Sequence, residues 1–264
     1  MYKHLLLFII AFSAVSCTRK YEIKGTSSVS ILDGRMLYVR VLADTGLVYV
    51  DSAEVVHGIF HMKGHVDSTL LATLFMDEES IMPFVLEEGK ITINIDRMRI
   101  GITGTPLNDA LTDFINKKTE LDDKSYEVER SESRMIMDGV DPAEIHQTIS
   151  SRRLRLSNEM DNLVKVFIQD NYENVLGPGI FLMVANSYPY PIITPLLQEI
   201  LDKAPEQFKN HSYVRNYVAA AHENMQKMTP PMSREMASEN AHYGYICGTA
   251  LLVRIVYFSF IMLR

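Results

Sequence analysis

The sequence predicts an α+β fold in which a β-rich amino-terminal part precedes a helical part. Apolar and polar residues alternate between about Tyr21 and Asp96, which is the two-residue period of strands. After Gly104-Thr105-Pro106 the apolar spacing lengthens to three or four, as on one face of a helix. The 264 residues are 47% apolar and 22% charged, a balance typical of globular proteins with a substantial core. Strands followed by helices indicate the α+β class.

Residues 21–105 are predicted to form an antiparallel β-sandwich or partial barrel. Leu37, Val39 and Val41 share one face of a strand that follows the turn signal Asp33-Gly34. Clusters of Gly, Asp and Glu separate the short apolar runs, which is typical of antiparallel sheets. The predicted strands are Arg35–Val41, Leu47–Val50, Val55–Val66, Leu70–Met76, Ile81–Leu86 and Lys90–Ile95.

Residues 106–229 are predicted to be helical. Thr105 is a candidate helix cap with Pro106 at the first helical position, and Asp141-Pro142 repeats this arrangement. Further helical segments are predicted at Phe181–Ala185, Pro191–Lys203 and Ser212–Met228.

The first residues of the chain have the three parts of an export signal. Lys3 and His4 precede an apolar run from Leu5 to Ala14, and small residues follow. This run is shorter than the roughly 20 apolar residues that span a bilayer, so removal after export is expected. The sequence therefore predicts a signal peptide over residues 1–17.

Cys17 is the predicted site of lipid attachment. Ala14-Val15-Ser16-Cys17 resembles the bacterial lipobox, in which the cysteine is acylated and becomes the first residue of the mature protein, although Ala14 stands where Leu is usual. A buried strand cysteine is the alternative, which the polar Thr18-Arg19-Lys20 disfavours. Each buried methylene contributes about 0.8 kcal/mol, so several acyl chains hold a protein on a membrane. An acidic stretch after the acylated cysteine tends to direct lipoproteins of this kind to the cell surface. No such stretch follows Cys17, so a periplasm-facing location in the cell envelope is expected.

Charge and cysteine content argue against two classes of function. The net charge is -7, and no dense Lys/Arg stripe is visible along the chain, so nucleic acid is not an expected partner. Arg152, Arg153 and Arg155 are interpreted as a solvated helix face. Cys17 and Cys247 are the two cysteines and no C-x-x-C occurs, so no redox dithiol is predicted.

Other groups of residues that could suggest a metal or catalytic site have simpler structural interpretations. His57, His61 and His65 would suggest a metal site, but the local period of two places them on one strand face. Acidic residues in Asp77-Glu78-Glu79 and Glu87-Glu88 are predicted in turns. With no G-x-S-x-G, phosphate loop or H-E-x-x-H, neither a catalytic site, nor a cofactor, nor a metal is predicted.

Several motifs resemble a lipoprotein domain of the Bacteroidota, the domain of unknown function 4369. The matching stretches are Asp51-Ser52-Ala53, Gly58-Ile59-Phe60-His61-Met62-Lys63-Gly64, Phe84-Val85-Leu86-Glu87-Glu88-Gly89-Lys90-Ile91-Thr92-Ile93 and Gly104-Thr105-Pro106-Leu107-Asn108. The following segment, with Asn174-Val175-Leu176-Gly177-Pro178, extends the likeness to about residue 228. The resemblance implies a β-sandwich-like domain in the envelope, and it implies no known activity. Many relatives continue into a thioredoxin-like (AhpC/TSA) domain with a Trp-Cys-x-x-Cys site, whereas this chain contains no Trp.

Residues 230–264 change character and are predicted to be an aberrant or disordered tail. Its apolar segment from Tyr245 to Arg264 contains Arg254 near the middle, which disfavours a membrane span because a central charge costs about 3 kcal/mol. Thr229-Pro230-Pro231 stands where the thioredoxin-like domain of relatives would begin, so a frameshift remnant is one hypothesis and Cys247 is then an accidental thiol.

The favoured function is a non-catalytic binding or scaffolding lipoprotein of the envelope. Its expected partners are the membrane, through the lipid, and an envelope protein or peptide. Two interpretations remain for Tyr188-Pro189-Tyr190-Pro191: a rigid aromatic turn that presents a binding surface, or a linker between helices. The alternative function is a truncated periplasmic thiol-disulfide oxidoreductase or peroxiredoxin-related lipoprotein that has lost its redox domain. A pseudogene product is the third interpretation.

Overall fold

The computed structural model describes residues 19–43, 46–97 and 99–228. Strands come first and helices follow, which confirms the α+β prediction. The strands are β1 (Arg19–Ser27), β2 (Met36–Ala43), β3 (Gly46–Glu54), β4 (Ile59–Val66), β5 (Leu70–Met76), β6 (Glu79–Leu86), β7 (Gly89–Ile95) and β8 (Ile100–Thr103). The helices are α1 (Pro106–Met137), α2 (Pro142–Asp170), α3 (Leu176–Ala185), α4 (Pro195–Lys203), α5 (Glu206–Lys209) and α6 (Ser212–Met228).

The strands form two four-stranded sheets. Sheet A has the order β4-β1-β7-β8 and sheet B the order β3-β2-β5-β6. Within these described strands every neighbouring pair is antiparallel except β1 with β7, which run parallel. The parallel pair arises because the chain leaves sheet A after β4, forms β5 and β6 of sheet B, and returns to sheet A beside β1 in the same direction. Sheet A is therefore mixed, where the sequence predicted antiparallel pairing.

The two sheets bury one shared core, so the β-rich part is a sandwich. Alternate residues of strands in both sheets are fully buried, including Ile23 and Ile91 from sheet A and Leu37 and Leu74 from sheet B. Burying one such side chain stabilises the fold by about 1.5–3 kcal/mol. The face of each strand that points away from this core is mostly polar in sheet A and partly covered by helices in sheet B.

The predicted strand Val55–Val66 is wrong in its first part. A turn separates β3 from β4, and His57 and Gly58 adopt φ values of 51° and 73°, which no strand residue has. The backbone bridge between Val56 and Ile59 closes this turn. Leu70–Met76 is confirmed with its predicted bounds, and β8 lies beyond the predicted strands.

The helices pack on sheet B and share a second core with it. Leu71 of β5 and Val85 of β6 point away from the sandwich core and pack among α1, α2, α3, α4 and α6 residues. Phe181 and Phe208 are fully buried there, with ring centroids 5.7 Å apart. The Tyr213 hydroxyl adds a hydrogen bond to the Leu42 carbonyl at 2.5 Å.

Helices α1 and α2 form a long hairpin with 32 and 29 residues. At 1.5 Å per residue each is about 45 Å long. Near the sandwich both helices contribute to the second core, whereas farther out they bury a third core made of their own residues alone. Its members are Leu121, Val128, Ile145, Ile149, Leu156 and Met160. We call residues 119–157, which include all of these core residues except Met160, the hairpin arm.

The structure confirms some of the predicted helix caps and helix starts but not others. Asp141 accepts hydrogen bonds from the Ala143 and Glu144 amides, as predicted for α2. Thr105 precedes α1 but caps no amide, because its hydroxyl accepts from the Asn108 side chain instead. The predicted helix from Pro191 begins only at Pro195, after the Thr194 cap.

Candidate functional site

The outward face of sheet A carries a concentration of positive charge. Lys20 and Lys24 on β1, Lys63 on β4 and Lys90 on β7 are exposed on this face, and Glu22 is the one carboxylate between them. We call these five residues, together with His61 and His65, the basic sheet face. Its charge contrasts with the net charge of -7 of the whole chain.

Strand register brings these side chains together. Glu22 is directly opposite Lys63 on one side and Lys90 on the other, while Lys20 is opposite His65. Directly opposed residues on neighbouring strands lie about 5 Å apart, and residues two positions along a strand about 6.7 Å apart. Four lysines therefore share an area only a few side chains wide.

Glu22 is the electrostatic centre of the face. Its Oε1 lies 3.2 Å from Lys63 Nζ, 3.0 Å from His61 Nε2 and 3.5 Å from Lys24 Nζ. Hydrogen bonds from Lys63 and His61 lower the pKa of Glu22 to about 2. Lys20 and Lys90, by contrast, form no ion pair with any described residue.

Sequence reasoning missed this face because its members are scattered along the chain. The signal was present as lysines and histidines at alternate positions of β1 and β4. Their convergence depends on which strands pair, and the parallel pairing of β1 with β7 was not predicted.

The predicted histidine arrangement holds for two of the three residues. His61 and His65 are exposed on the outer face of β4, opposite the buried Phe60 and Met62. His57 is not on that face, because it lies in the preceding turn with φ 51°. Within the described segments no group of three or more His, Cys, Asp or Glu side chains is placed to hold a metal ion.

The acidic clusters have structural partners. Asp77 and Glu78 form the β5–β6 turn, as predicted, while Glu79 is the first residue of β6. Arg40 donates two hydrogen bonds to the Glu78 carboxylate, at 2.8 and 2.9 Å, and lowers the pKa of Glu78. Glu87, just after β6, accepts a hydrogen bond from the Leu107 amide at 3.2 Å.

The motif residues around Asn108 join the sandwich to α1. Asn108 is fully buried, and its side-chain amide accepts from the Val85 N–H at 2.8 Å and donates to the Val85 carbonyl at 2.7 Å. It thereby pairs with the free edge of β6 as a further strand would. At Gly104, φ is 104° and a Cβ would lie 2.4 Å from the Lys90 carbonyl oxygen, so this turn accepts only glycine.

The other motif residues stabilise the sandwich. The Tyr21 hydroxyl on β1 donates to Asp51 Oδ2 on β3 at 2.7 Å and so links the two sheets. Burial, followed by the bond to Asp51, raises the pKa of Tyr21. A Cβ on Gly64 would lie 2.5 Å from the Tyr21 hydroxyl, which shows how closely the ring covers this glycine.

The segment Tyr188-Pro189-Tyr190-Pro191 is a connection between α3 and α4. The Tyr217 hydroxyl holds the end of this connection by accepting from the Ile192 amide at 3.1 Å. Its single proton faces the Ala185 and Ile192 carbonyls, at 3.1 and 3.0 Å. Asn224 donates to the Pro191 carbonyl. Tyr190 remains 46% exposed, so the linker interpretation fits the backbone and an aromatic contact surface stays a prediction.

The remaining predicted positions are an arginine face and three residues outside the structure. Arg152, Arg153 and Arg155 are exposed on α2, and Arg153 pairs with Glu132 of α1. Cys17, Cys247 and Arg254, with the whole of residues 230–264, lie outside the described residues. Over residues 19–43, 46–97 and 99–228, no helix is both long and apolar enough to cross a membrane.

The strands and turns described above lie in a part of the chain that is similar to a known domain. Residues 21–111 match the domain of unknown function DUF4369. The DUF4369 match covers β1 from Tyr21, the other strands and the start of α1, and it confirms the resemblance over those residues. No curated protein matches the chain. Within the matched range, the residues of this chain described above close turns, link the two sheets and attach the sandwich to α1.

Proposed function

We propose that this protein is a non-catalytic envelope lipoprotein, anchored by lipid on Cys17, that binds an envelope protein or peptide through its hairpin arm. The observation that carries the proposal is the arm itself. Its core contains only α1 and α2 residues, and at its far end Ile136 and Met137 are 62% and 84% exposed. Large apolar side chains at the end of a projecting element are typical of a contact surface for a partner.

The start of the sandwich supports an anchor at Cys17. Strand β1 begins at Arg19, so the sandwich starts two residues after the cysteine and at most about 7 Å of chain joins them. A lipid on Cys17 would therefore hold sheet A beside the membrane.

The absence of catalysis is part of the proposal, and the roles of the polar residues support it. Asn108, Asp51 and Glu87 each hold the backbone or link the sheets. Glu22 and Glu78 are ion-paired, with a pKa lowered by their basic partners rather than raised toward neutrality. General acid–base catalysis requires a group that titrates near the working pH.

A cross-linking experiment in cells tests the arm. A photoreactive residue at Met137 is expected to capture one discrete partner, whereas the same residue at the exposed Asn210 of the helical body serves as the control. Met137→Glu should weaken the complex, because it places a charge in an apolar contact. Equal capture from both positions, or none from Met137, would refute a partner-binding arm.

A fractionation experiment tests the anchor. Cys17→Ala is expected to move the protein from the membrane fraction to the soluble fraction, because the acyl chains supply the membrane affinity. Cys247→Ala is the matched control and should stay with the membrane. Should the Cys17 variant remain bound like the control, the anchor assignment fails.

The thioredoxin-related alternative predicts a different activity. A disulfide reductase would reduce insulin disulfides in the presence of dithiothreitol. We expect no acceleration over dithiothreitol alone, because the two cysteines are far apart in sequence and form no C-x-x-C. Measurable reduction that is lost in Cys247→Ala would favour the redox alternative.

A further inference from the structure

We infer that the basic sheet face is a second membrane contact, which rests on the anionic lipid headgroups beside the anchor. The inference deepens the proposed function and rests on it, because the lipid on Cys17 is what brings sheet A to the bilayer. The face would orient the sandwich flat on the membrane and so fix the direction in which the hairpin arm points.

The charge of the face fits an anionic surface. Four lysines surround a single carboxylate on a protein whose net charge is -7, so positive charge is concentrated here against the average of the chain. Glu22 is already paired with Lys63 and Lys24, and His61 is within hydrogen-bond distance of it. Lys20 and Lys90 have no ion-pair partner among the described residues and remain available to phosphate groups.

The position of the face favours a membrane over other anionic partners. Lys20 is three residues from Cys17, a separation of at most about 11 Å in extended chain. The field of an anionic membrane extends about 8 Å at physiological ionic strength, so the lysines nearest the anchor lie within its reach. The charges are lysine ammonium groups, which act as hydrated point charges and do not require the bidentate geometry that arginine provides.

The shape of the face also suits a planar partner. Strands β4, β1 and β7 lie side by side, and most of the remaining outward positions are polar, with Thr26, Thr92 and Asn94 beside the lysines. Ile59, at the start of β4 and opposite Thr26, is the exposed apolar residue on the same face. No described helix covers the outward residues of these three strands, because the helices pack on sheet B. The exposed side chains of Lys24 and Lys63, at 61% and 62%, remain free to contact solvent or lipid.

Acetylation kinetics on the full, membrane-reconstituted protein test the inference. Protein purified from cell membranes in detergent is reconstituted into vesicles of phosphatidylcholine alone, or with about one-third phosphatidylglycerol. The rate at which acetic anhydride modifies each lysine is then read by mass spectrometry. We expect Lys20, Lys24, Lys63 and Lys90 to react roughly threefold more slowly on anionic vesicles, and high salt to remove this protection. Lys124 and Lys203, exposed on helices, should react equally on both vesicles.

Charge-reversal variants separate the face from the overall charge. K20E/K90E changes two lysines that form no ion pair, so the sandwich should fold, and protection of Lys24 and Lys63 should be lost. K124E/K203E makes the same change in net charge on the helices and should keep the protection. Equal reactivity of the face on both vesicles would overturn the inference. Protection that is equally strong on neutral vesicles would overturn it too, since it would indicate a protein contact.

Failure of the anchor can be distinguished from failure of the face. The mass of the amino-terminal peptide shows whether Cys17 carries lipid. If it does not, the proposed anchor fails, and flotation of the same chain with the two vesicle types tests the face alone. Flotation that needs phosphatidylglycerol and is reduced in K20E/K90E supports the face, whereas no difference between vesicles contradicts it.

Discussion

Asn108 uses its side chain as a substitute for a strand. It satisfies both backbone groups of Val85 at the edge of sheet B, where an unpaired N–H and C=O would otherwise be buried beneath α1. Sequence alone identified Gly104-Thr105-Pro106-Leu107-Asn108 as a motif but could not reveal this role, because the partner is 23 residues away. A buried polar group left without a partner costs about 1–3 kcal/mol.

Replacing Asn108 tests its structural role. Asn108→Ala is expected to lower the free energy of unfolding by about 3 kcal/mol, because two buried backbone groups lose their partner. Asn94→Ala is the matched control, since the Asn94 side chain is exposed and accepts a hydrogen bond from the exposed Thr26 hydroxyl. Chemical denaturation measures both. Similar small losses in the two variants would contradict the proposed pairing.

Glu22 makes the stability of sheet A depend on acidity. Its pKa is lowered to about 2 in the folded protein, so the carboxylate is charged and paired above its ordinary pKa of 4.5. The stabilisation is present above pH 4.5 and is lost as the pH falls toward 2. Glu22→Gln should therefore be less stable than the wild type at pH 7 and equally stable near pH 2. A difference in melting temperature that stays constant over this range would contradict the ion-pair cluster.

At the scale of elements, the hairpin arm is separated from the rest of the fold. Its core is distinct from the sandwich core and from the helical core on sheet B. The sequence predicted helices from Pro106 and Pro142, because proline and a capping residue mark helix starts in an exposed pattern. The sequence did not predict that about half of each helix packs only against its partner helix. That depends on the residue at which α1 and α2 extend beyond the sandwich and the other helices.

Core substitutions should distinguish the arm from the sandwich. Ile149→Ala, in the arm, is expected to remove about 3 kcal/mol locally and to speed amide exchange within residues 119–157 alone. Ile91→Ala, in the sandwich core, is the control and should lower protection across both sheets. Faster exchange of sheet amides in Ile149→Ala would show that the arm and sandwich unfold together.

At the scale of the whole molecule, the order of strands and helices was predictable and their assembly was not. Alternation located β2 well, since its buried residues Leu37 and Val39 are two positions apart. Strand β5 was located by its short apolar run, in which the neighbours Leu74 and Phe75 are both buried. The turn at His57 was missed because a histidine with positive φ has no signal in an apolar pattern. The basic sheet face was missed for a different reason, since Lys20, Lys63 and Lys90 meet only through pairings across 41 to 68 residues of chain.

The proposed orientation of the molecule depends on lipid at Cys17, because such an anchor would hold sheet A beside the membrane. Growth with radiolabelled palmitate, followed by isolation of the protein, measures this directly. We predict label on the wild type and none on Cys17→Ala, with a mature amino terminus at Cys17. An unlabelled protein that retains Met1 and is found in the soluble fraction would contradict the account.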